Sequence, residues 1–249
     1  MKLSCLCCTE SRPEFMGWLE FVYNQLEWEG EKELVVVDST PEKKREEVEC
    51  AIRAGVPAGE LHYHYHPKPG CTIAEKSNIA LDKADGELLT WLDDDDWTSP
   101  RAVTQAFELM NEDIDVVKAR LRFPFINLHM MMVRYVPTFM WSLGLYRTEA
   151  VRGIRFVERT KKGPMLIGQD TTWQGHVWQR VPQRRQTILR QEWLGCALSH
   201  DRNIANSCGG NKPFQWKYPI PPCPSSVKPE EWDLVLLEIE VLRRKLGFV

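Results

Sequence analysis

The stretch Glu87-Leu88-Leu89-Thr90-Trp91-Leu92 runs directly into four consecutive aspartates, Asp93 to Asp96, and this junction decides the fold. The apolar part predicts a buried strand. Ser99-Pro100 follows, which is typical of a helix start with Ser99 as the N-cap. Ligands of open α/β sheets bind outside the carboxyl ends of the strands. The acidic run is therefore the first candidate for a functional site.

Four adjacent carboxylates repel one another, so placing them in one turn is costly unless a cation or a set of N–H donors lies nearby. Mg²⁺ and Mn²⁺ prefer carboxylate oxygen as a ligand. Residues two apart point to the same side, so Asp93 and Asp95 can act on one ligand, or Asp94 and Asp96 if the register is shifted by one. In the simpler alternative, Asp96 or a neighbour caps the next helix and the others are solvated.

The chain before the acidic run alternates strand-like and helix-like segments, which predicts an α/β fold with parallel strands. The predicted strands of this half are Lys2–Cys8, Leu34–Val37, Leu61–His66 and Glu87–Leu92, and the predicted helices span about residues 15–28, 42–54 and 73–84. After the run, the pattern predicts strands over 114–126, near 145–147 and around 187–198, and helices over about 170–180 and 230–246.

Three stretches ahead of the acidic run carry further polar residues in register with it. They are Cys8-Thr9-Glu10-Ser11-Arg12-Pro13, Val35-Val36-Val37-Asp38-Ser39, and Lys76-Ser77-Asn78-Ile79-Ala80 with Gly86-Glu87. Together with Leu92–Trp97, which is similar to a DxD motif, these stretches resemble the nucleotide-sugar-binding half of a GT-A glycosyltransferase of the family-two type. The resemblance covers about residues 3 to 110 and continues more weakly to about residue 203.

The resemblance implies a GT-A α/β/α sandwich with a mixed, mostly parallel central sheet. It assigns residues 1–112 to a nucleotide-sugar-binding half and residues 113–210 to an acceptor-binding and catalytic half of the same domain. Residues 211–249 are predicted to form a Pro-rich linker and a C-terminal amphipathic helix.

Roles for individual residues also follow from the resemblance. In the donor site, Thr9 and Arg12 flank the base, Asp38 accepts hydrogen bonds from the uracil or ribose, Lys76 and Asn78 lie near the nucleotide, and Asp93 and Asp94 contact the nucleotide sugar. Asp95, together with Asp93 and the later His200, is the expected ligand set for Mn²⁺ or Mg²⁺. The metal and Lys76 would neutralise the departing nucleoside diphosphate.

Glycosyl transfer with inversion also needs a base that removes the proton of the acceptor hydroxyl. Family members usually place this carboxylate in an acidic pair at the start of a helix in the second half. The segment Gly168-Gln169-Asp170-Thr171-Thr172-Trp173 is similar, so Asp170 is the candidate base. The alternative is that Asp170 only caps the N-terminus of its helix.

These roles imply a metal-dependent inverting glycosyltransferase that moves a sugar from a nucleoside diphosphate donor, expected to be a UDP-sugar, to an acceptor hydroxyl. Arg and Lys concentrate between residues 150 and 190. They either form an ordinary solvated face or provide a surface for an anionic acceptor. A cell-surface glycan and a hydroxylated DNA base are the two acceptor hypotheses. A nucleotidyltransferase is an alternative from another class, although Thr9–Met16 is not the Gly-rich basic loop that it would carry. A non-catalytic nucleotide-binding module is a third hypothesis.

The composition sets the outer limits of these hypotheses. The 249 residues include 32 Lys+Arg and 35 Asp+Glu, a formal charge of -3, which is ordinary globular usage and not that of a basic nucleic-acid binder. The sequence contains neither an apolar run long enough for a bilayer span nor the apolar core of a signal peptide, so we expect a cytoplasmic protein. The eight cysteines are expected to be free thiols. The alternating His62, His64 and His66 are interpreted as the polar face of a half-buried strand and not as a zinc site.

Overall fold

The computed structural model describes residues 1–68, 71–128, 131–158, 160–162, 165–167, 169–190, 195–199, 218–219, 223 and 227–248. The helices of this part are α1 Pro13–Gln25, α2 Glu42–Arg53, α3 Ile73–Lys83, α4 Ala102–Glu108, α5 Thr148–Val151, α6 Gln169–Arg180 and α7 Pro229–Lys245. The strands are β1 Leu3–Thr9, β2 Lys32–Asp38, β3 Leu61–Tyr65, β4 Leu88–Trp91, β5 Asp96–Thr98, β6 Val116–Asn127, β7 Met132–Arg147, β8 Thr160–Lys162, β9 Met165–Ile167, β10 Gln186–Arg190, β11 Gly195–Ser199 and β12 Tyr218–Pro219.

The main sheet has the strand order β3-β2-β1-β4-β7-β6-β11-β5, with β10 also paired to β6 and β12 to β7. Within the described strands of this sheet, five pairings are parallel and four are antiparallel. The first four strands are all parallel because β1, β2 and β3 are each followed by a helix that returns the chain to the other end of the sheet. The predicted mixed, mostly parallel sheet is confirmed.

Alternate residues of β1 face opposite layers of helices, as the two-residue period of a strand requires. Leu3, Cys5 and Cys7 pack into a core that includes buried residues of α1, α2, α4 and α7. Leu6 packs into a second core on the other face, with buried residues of β4, α3 and α6. The molecule is therefore an α/β/α sandwich. The C-terminal helix is part of its first core, because Trp232 and Ile239 are fully buried there.

The edge of the sheet at which the parallel strands begin is held together by one buried carboxylate. Glu33 is 1% exposed. Its Oε1 accepts hydrogen bonds from Ser4 Oγ (2.5 Å) and from the Asp85 amide (2.8 Å), and its other oxygen pairs with the Lys2 ammonium group. These contacts tie β1 and β2 to the turn before β4. The candidate site lies at the opposite edge of the sheet, and these contacts do not involve it.

Three features after the acidic run differ from the prediction. The strand predicted near Leu145–Arg147 is the end of the long strand β7, which pairs with β6 over most of its length. The strand predicted around 187–198 is two strands, β10 and β11, which both run parallel to β6. The helix predicted to begin at Ser99 begins at Ala102 after Arg101, so Ser99 is not its N-cap. The reason is that Asp96 to Thr98 are held in an extended strand by β11, which postpones the helix.

Other expectations concern cysteines and membrane insertion. The seven cysteines within the described residues are free thiols, and Cys208 lies outside those residues. None of the described helices combines the length and the apolar composition that crossing a bilayer requires.

Candidate active site

The candidate site lies at the carboxyl edge of the parallel strands. β1, β2 and β4 run in the same direction, so the segments that follow them meet at one edge of the sheet. These segments are the loop after Thr9, the loop after Asp38 and the acidic run from Asp93 to Asp96. Sequence reasoning brought the same three segments together.

The acidic run forms a tight turn between β4 and β5. The Asp96 amide donates to the carbonyl of Asp93 (3.2 Å), which closes the turn. The carbonyl of Asp95 accepts from the Leu198 amide in β11 (3.0 Å), and the carbonyl of Asp96 accepts from the Trp18 indole N–H (3.0 Å). The backbone of the turn is therefore held from both sides by segments distant in sequence.

Burial alternates along the four aspartates. Asp94 and Asp96 are 3% and 9% exposed, whereas Asp93 and Asp95 belong to the half-buried class. Burial and the three neighbouring carboxylates raise the pKa of Asp96 well above its usual range. The more accessible pair is thus Asp93 and Asp95, in the register that the sequence analysis placed first. Asp96 does not cap the next helix, because it lies in β5.

Asp94 is anchored by the loop that follows β1. Its Oδ2 accepts from Thr9 Oγ1 (2.6 Å), and its Oδ1 accepts from Arg12 Nη1 (2.7 Å). The same Arg12 nitrogen also donates to Asp95 Oδ2 (3.1 Å). Burial raises the pKa of Asp94, and the bonds from Arg12 and Thr9 oppose that rise. Thr9, Arg12, Asp94 and Asp95 therefore form one cluster of charge-assisted hydrogen bonds.

Asp38 is fully buried at the end of β2. Its Oδ1 accepts from the backbone amide (2.8 Å) and hydroxyl (2.5 Å) of Thr40, and its Oδ2 accepts from the Tyr63 hydroxyl (2.5 Å). Thr40 Oγ1 in turn accepts from the Ser11 amide (2.6 Å). Asp38 is thus close to the predicted donor site, and in this structure its carboxylate orders two loops. Its predicted contact with a base or ribose stays a prediction.

Lys76 and Asn78, on α3, also contact the loops at this edge. Lys76 is 3% exposed, and its Nζ donates to the Thr9 carbonyl (3.1 Å) and to Glu10 (3.3 Å). Asn78 holds the backbone of Phe156, donating to its carbonyl (3.0 Å) and accepting from its amide (2.8 Å). Both residues therefore make contacts within the protein that shape the site, and their contact with a nucleotide stays a prediction.

Helix α6 carries the candidate base to the same edge of the sheet. Near the start of α6, the ring of Trp173 lies against Trp91 at the carboxyl end of β4, with centroids 6.3 Å apart. Later in the helix, Trp178 lies under the Lys118 ammonium group (4.2 Å), near the amino end of β6. β4 and β6 run in the same direction because both pair antiparallel with β7. The N-terminus of α6 therefore points toward the edge that carries the acidic turn.

Asp170 is the second residue of α6, which begins at Gln169. It therefore lies within the first turn and not at the N-cap position, the alternative considered from the sequence. The predicted metal ligand His200 lies outside the described residues, directly after the last residue of β11.

The donor set suits a hard divalent cation. Among the described residues, no group of three or more His, Cys, Asp and Glu side chains is arranged to hold a metal. Mg²⁺, however, is commonly bound by one or two protein carboxylates and completes its shell with substrate phosphates and water. Asp93 and Asp95 supply such a pair of carboxylates in a turn whose other two acids are buried, and they fit Mg²⁺ or Mn²⁺ in that mode.

Several residues that build the site were not identified as functional from the sequence. Ser11, Thr40 and Tyr63 order the two loops, and the pair Trp91 and Trp173 joins the end of β4 to α6. Ser11 has a positive φ of 56°, which is uncommon for a residue with a side chain. Thr40 bonds to Asp38 two residues before it, but the contacts Ser11–Thr40, Tyr63–Asp38 and Trp91–Trp173 join segments far apart in the sequence, and no local pattern identifies them.

The α/β/α fold, with its acidic turn at the carboxyl edge of the parallel strands, defines a GT-A glycosyltransferase architecture. The profile of glycosyl transferase family 2 matches residues 17–169, which is more than half of the chain, so the chain belongs to this family. β1 and the loop with Thr9 and Arg12 precede the matched segment. No curated protein sequence matches the chain at a significant level.

Several solved structures share this fold. S. aureus TarS 1-349 in complex with UDP-GlcNAc has a TM-score of 0.63 at 17% identity, over 83% of this chain and 61% of that one. The Pyrobaculum calidifontis mannosyltransferase PcManGT, in complex with GDP-Man and Mn²⁺, gives 0.58 at 14%, over 82% and 59%. Glucosyl-3-phosphoglycerate synthase from Mycobacterium tuberculosis, with Mn²⁺, UDP-Glc and phosphoglyceric acid, gives 0.53 at 11%, over 83% and 74%. The chain thus spans about three-fifths of the TarS 1-349 structure.

Proposed function

We propose that this protein is a metal-dependent inverting glycosyltransferase that transfers a sugar from a nucleoside diphosphate donor to an acceptor hydroxyl. The observation that carries the proposal is the acidic turn, in which Asp93 and Asp95 remain accessible while Asp94 and Asp96 are buried. This turn lies at the carboxyl edge of the parallel strands, beside the loops after β1 and β2. Membership of glycosyl transferase family 2 supports the reaction class.

For the donor, a UDP-sugar is the proposed substrate. The TarS structures in complex with UDP and with UDP-GlcNAc support a uridine nucleotide, whereas the GDP-Man complex of PcManGT shows that the fold also holds guanosine. In this chain the loop from Thr9 to Arg12 and the loop after Asp38 would flank the nucleoside. Lys76 would add positive charge close to the phosphates.

The proposed metal ligands are Asp95 and Asp93, completed by His200. A bound Mn²⁺ or Mg²⁺ would supply Lewis-acid stabilisation of the leaving diphosphate. The PcManGT and glucosyl-3-phosphoglycerate synthase structures, both in complex with Mn²⁺, support a divalent cation. The hydrogen bond from the Leu198 amide to the Asp95 carbonyl (3.0 Å) supports His200 as a ligand, because it joins β11 to the acidic turn two residues before His200.

Asp170 is the proposed general base. Its carboxylate would accept the proton of the acceptor hydroxyl as the hydroxyl oxygen bonds to the anomeric carbon, while the bond from that carbon to the diphosphate oxygen breaks on the opposite face. The orientation of α6 supports this role, because the N-terminus of the helix points toward the edge that carries Asp93 and Asp95. A single displacement of this kind inverts the anomeric configuration.

The acceptor is proposed to be a hydroxyl of a glycan or of a hydroxylated DNA base. Arg152, Arg180 and Arg184 are exposed, which favours an anionic acceptor. Arg180 lies ten residues along α6 from Asp170, or about 15 Å at the rise of a helix. An acceptor that reaches both Asp170 and these arginines must therefore be extended, as a polyanionic glycan or a DNA duplex is.

Thermal-shift measurements with UDP, GDP and their sugars, with and without Mn²⁺, test the donor and the metal together. We expect a Mn²⁺-dependent stabilisation by a UDP-sugar, because a ligand stabilises the folded state according to its affinity. Asp95→Asn should remove the Mn²⁺ dependence. Asp170→Asn should keep the thermal shift and lose sugar transfer. No metal-dependent shift with any donor would refute the proposal, and full transfer activity in Asp170→Asn would refute the base.

The acceptor classes are separated by a gel shift on duplex DNA at about 50 and 200 mM salt. Binding through several phosphate contacts should weaken by orders of magnitude over that range. Absence of a salt-sensitive shift would leave the glycan as the proposed acceptor.

A further inference from the structure

Arg12 places a positive charge inside the acidic turn. Its Nη1 lies 2.7 Å from Asp94 Oδ1 and 3.1 Å from Asp95 Oδ2, and its side chain is 15% exposed. The guanidinium therefore bridges one buried carboxylate and the carboxylate that we propose as the direct metal ligand. Its charge offsets part of the repulsion that four consecutive aspartates create.

The position of Arg12 is built into the loop. Ser11, just before it, takes a positive φ of 56°, and the Ser11 amide is held by Thr40 Oγ1 at 2.6 Å. Thr40 is itself fixed by the fully buried Asp38. On the other side, Lys76 Nζ donates to the carbonyl of Thr9 at 3.1 Å. Contacts on both sides thus keep the loop, and with it the guanidinium, over the acidic turn.

The bonds from Arg12 to Asp94 and to Asp95 differ in length and in burial. The contact with Asp94 is the shorter one, and Asp94 also accepts a bond from Thr9 and is almost fully buried. The contact with Asp95 is longer, and the side chain of Asp95 is 13% exposed. A change at this site therefore breaks the Arg12–Asp95 contact more easily than the Arg12–Asp94 contact.

We infer that Arg12 is a positioning residue that acts as the internal counter-cation of the acidic turn and competes with a divalent cation for Asp95. Metal binding then requires that Arg12 release Asp95 while it keeps Asp94. The inference rests on the proposed function, since it takes Asp95 as a metal ligand. It predicts that Arg12 lowers the affinity of the free protein for the metal.

The test is the affinity for Mn²⁺ alone, measured by isothermal titration calorimetry in the absence of any donor. Arg12→Gln should bind Mn²⁺ about tenfold or more tightly than the wild type. The magnitude follows from Coulomb's law: the repulsion between charges of +1 and +2 at about 5 Å lowers a binding constant by roughly that factor even in water. A side chain that only supports the fold cannot produce this gain, since its loss weakens binding.

Two further variants make the test independent of folding and of net charge. Arg12→Lys keeps the charge and should bind Mn²⁺ about as the wild type does, even if Arg12→Gln is poorly folded. Arg244→Gln removes an exposed arginine that pairs with Glu240 on α7 at 3.7 Å, far from the turn in sequence, and should leave the affinity unchanged.

The outcomes are distinct. If the wild type binds Mn²⁺ and Arg12→Gln binds it equally or more weakly, the competition is wrong and the proposed function stands. If Arg12→Lys binds Mn²⁺ as tightly as a well-folded Arg12→Gln, charge is not the cause and the inference is overturned. If neither the wild type nor Arg12→Gln binds Mn²⁺, the proposed metal dependence fails, and the inference fails with it.

Discussion

Replacing Asp94 and Asp95 separately by alanine should affect different properties: Asp94→Ala should lower the stability, and Asp95→Ala should remove metal binding. Asp94 is 3% exposed and accepts bonds from Thr9 and Arg12. Asp95 is more accessible, and its contact with Arg12 is the longer of the two. The structure therefore assigns Asp94 to the scaffold of the turn, whereas we propose Asp95 as the ligand.

The magnitudes follow from the contacts that each substitution removes. Deleting one partner of a buried ion pair costs about 3–5 kcal/mol, and Arg12 retains Asp95, so we take the lower end of about 3 kcal/mol for Asp94→Ala. For a chain of this length that is a decrease in Tm of about 6–12 °C. Asp95→Ala leaves the Arg12–Asp94 pair intact and relieves repulsion between carboxylates, so it should cost about 1 kcal/mol or less.

Urea unfolding followed by tryptophan fluorescence measures the two free energies, and calorimetric titration with Mn²⁺ measures the binding. Asp94→Ala should show the large loss of stability, while Asp95→Ala should stay close to the wild type in stability and lose Mn²⁺ binding. If Asp95→Ala is destabilised as strongly as Asp94→Ala, the division of the turn into a scaffold acid and a ligand acid is wrong.

Two further predictions concern the sheet and the second core. Burial alone would raise the pKa of Glu33, but its bonds with Lys2, Ser4 and the Asp85 amide lower that pKa below the unfolded value of about 4.5. The ionised carboxylate therefore stabilises the fold above pH 4.5, and this stabilisation is lost as the pH falls through the lower folded pKa. The difference in unfolding free energy between the wild type and Glu33→Gln should therefore shrink from pH 7 to pH 3, and a constant difference would contradict this. Trp173 is fully buried against Phe156, with ring centroids 4.8 Å apart. Trp173→Ala should therefore lower the free energy of unfolding by about 3–5 kcal/mol. A loss below about 1 kcal/mol, measured by urea unfolding, would contradict its place in the core.

The first half of the fold could be predicted from local patterns. β1, β2 and β4 are continuous apolar runs, and α1 and α3 show helical spacing, so each element is visible in its own sequence. β7 was largely missed because Pro137 and Gly144 interrupt its pattern, and its extended conformation depends on the partner strand β6. The extended conformation of β5 also depends on a partner strand, because its three residues pair with Gly195 to Ala197.

The residue types of the candidate site could be predicted, but not the division of work among them. The sequence places four equivalent carboxylates in a row, and contacts from Thr9, Arg12 and Leu198 make Asp94 different from Asp95. Likewise, Asp38 follows a buried strand as expected, yet its burial depends on Tyr63 in the neighbouring strand. Such differences arise from tertiary contacts that no local window of sequence contains.

The contacts that anchor the acidic turn come from segments much later in the chain, which has a consequence for the synthesis of the protein. Asp95 and Asp96 are held by β11, about a hundred residues later, and Trp97 packs against Trp232 of α7 with ring centroids 5.9 Å apart. Contacts between such distant segments form late, since the loops between them must first be closed. A nascent chain that has already folded β1 to β4 therefore still lacks the contacts from β11 that anchor the turn until β11 has left the ribosome. The acidic turn would therefore be fully anchored only after the residues of β11 and α7 have been synthesised.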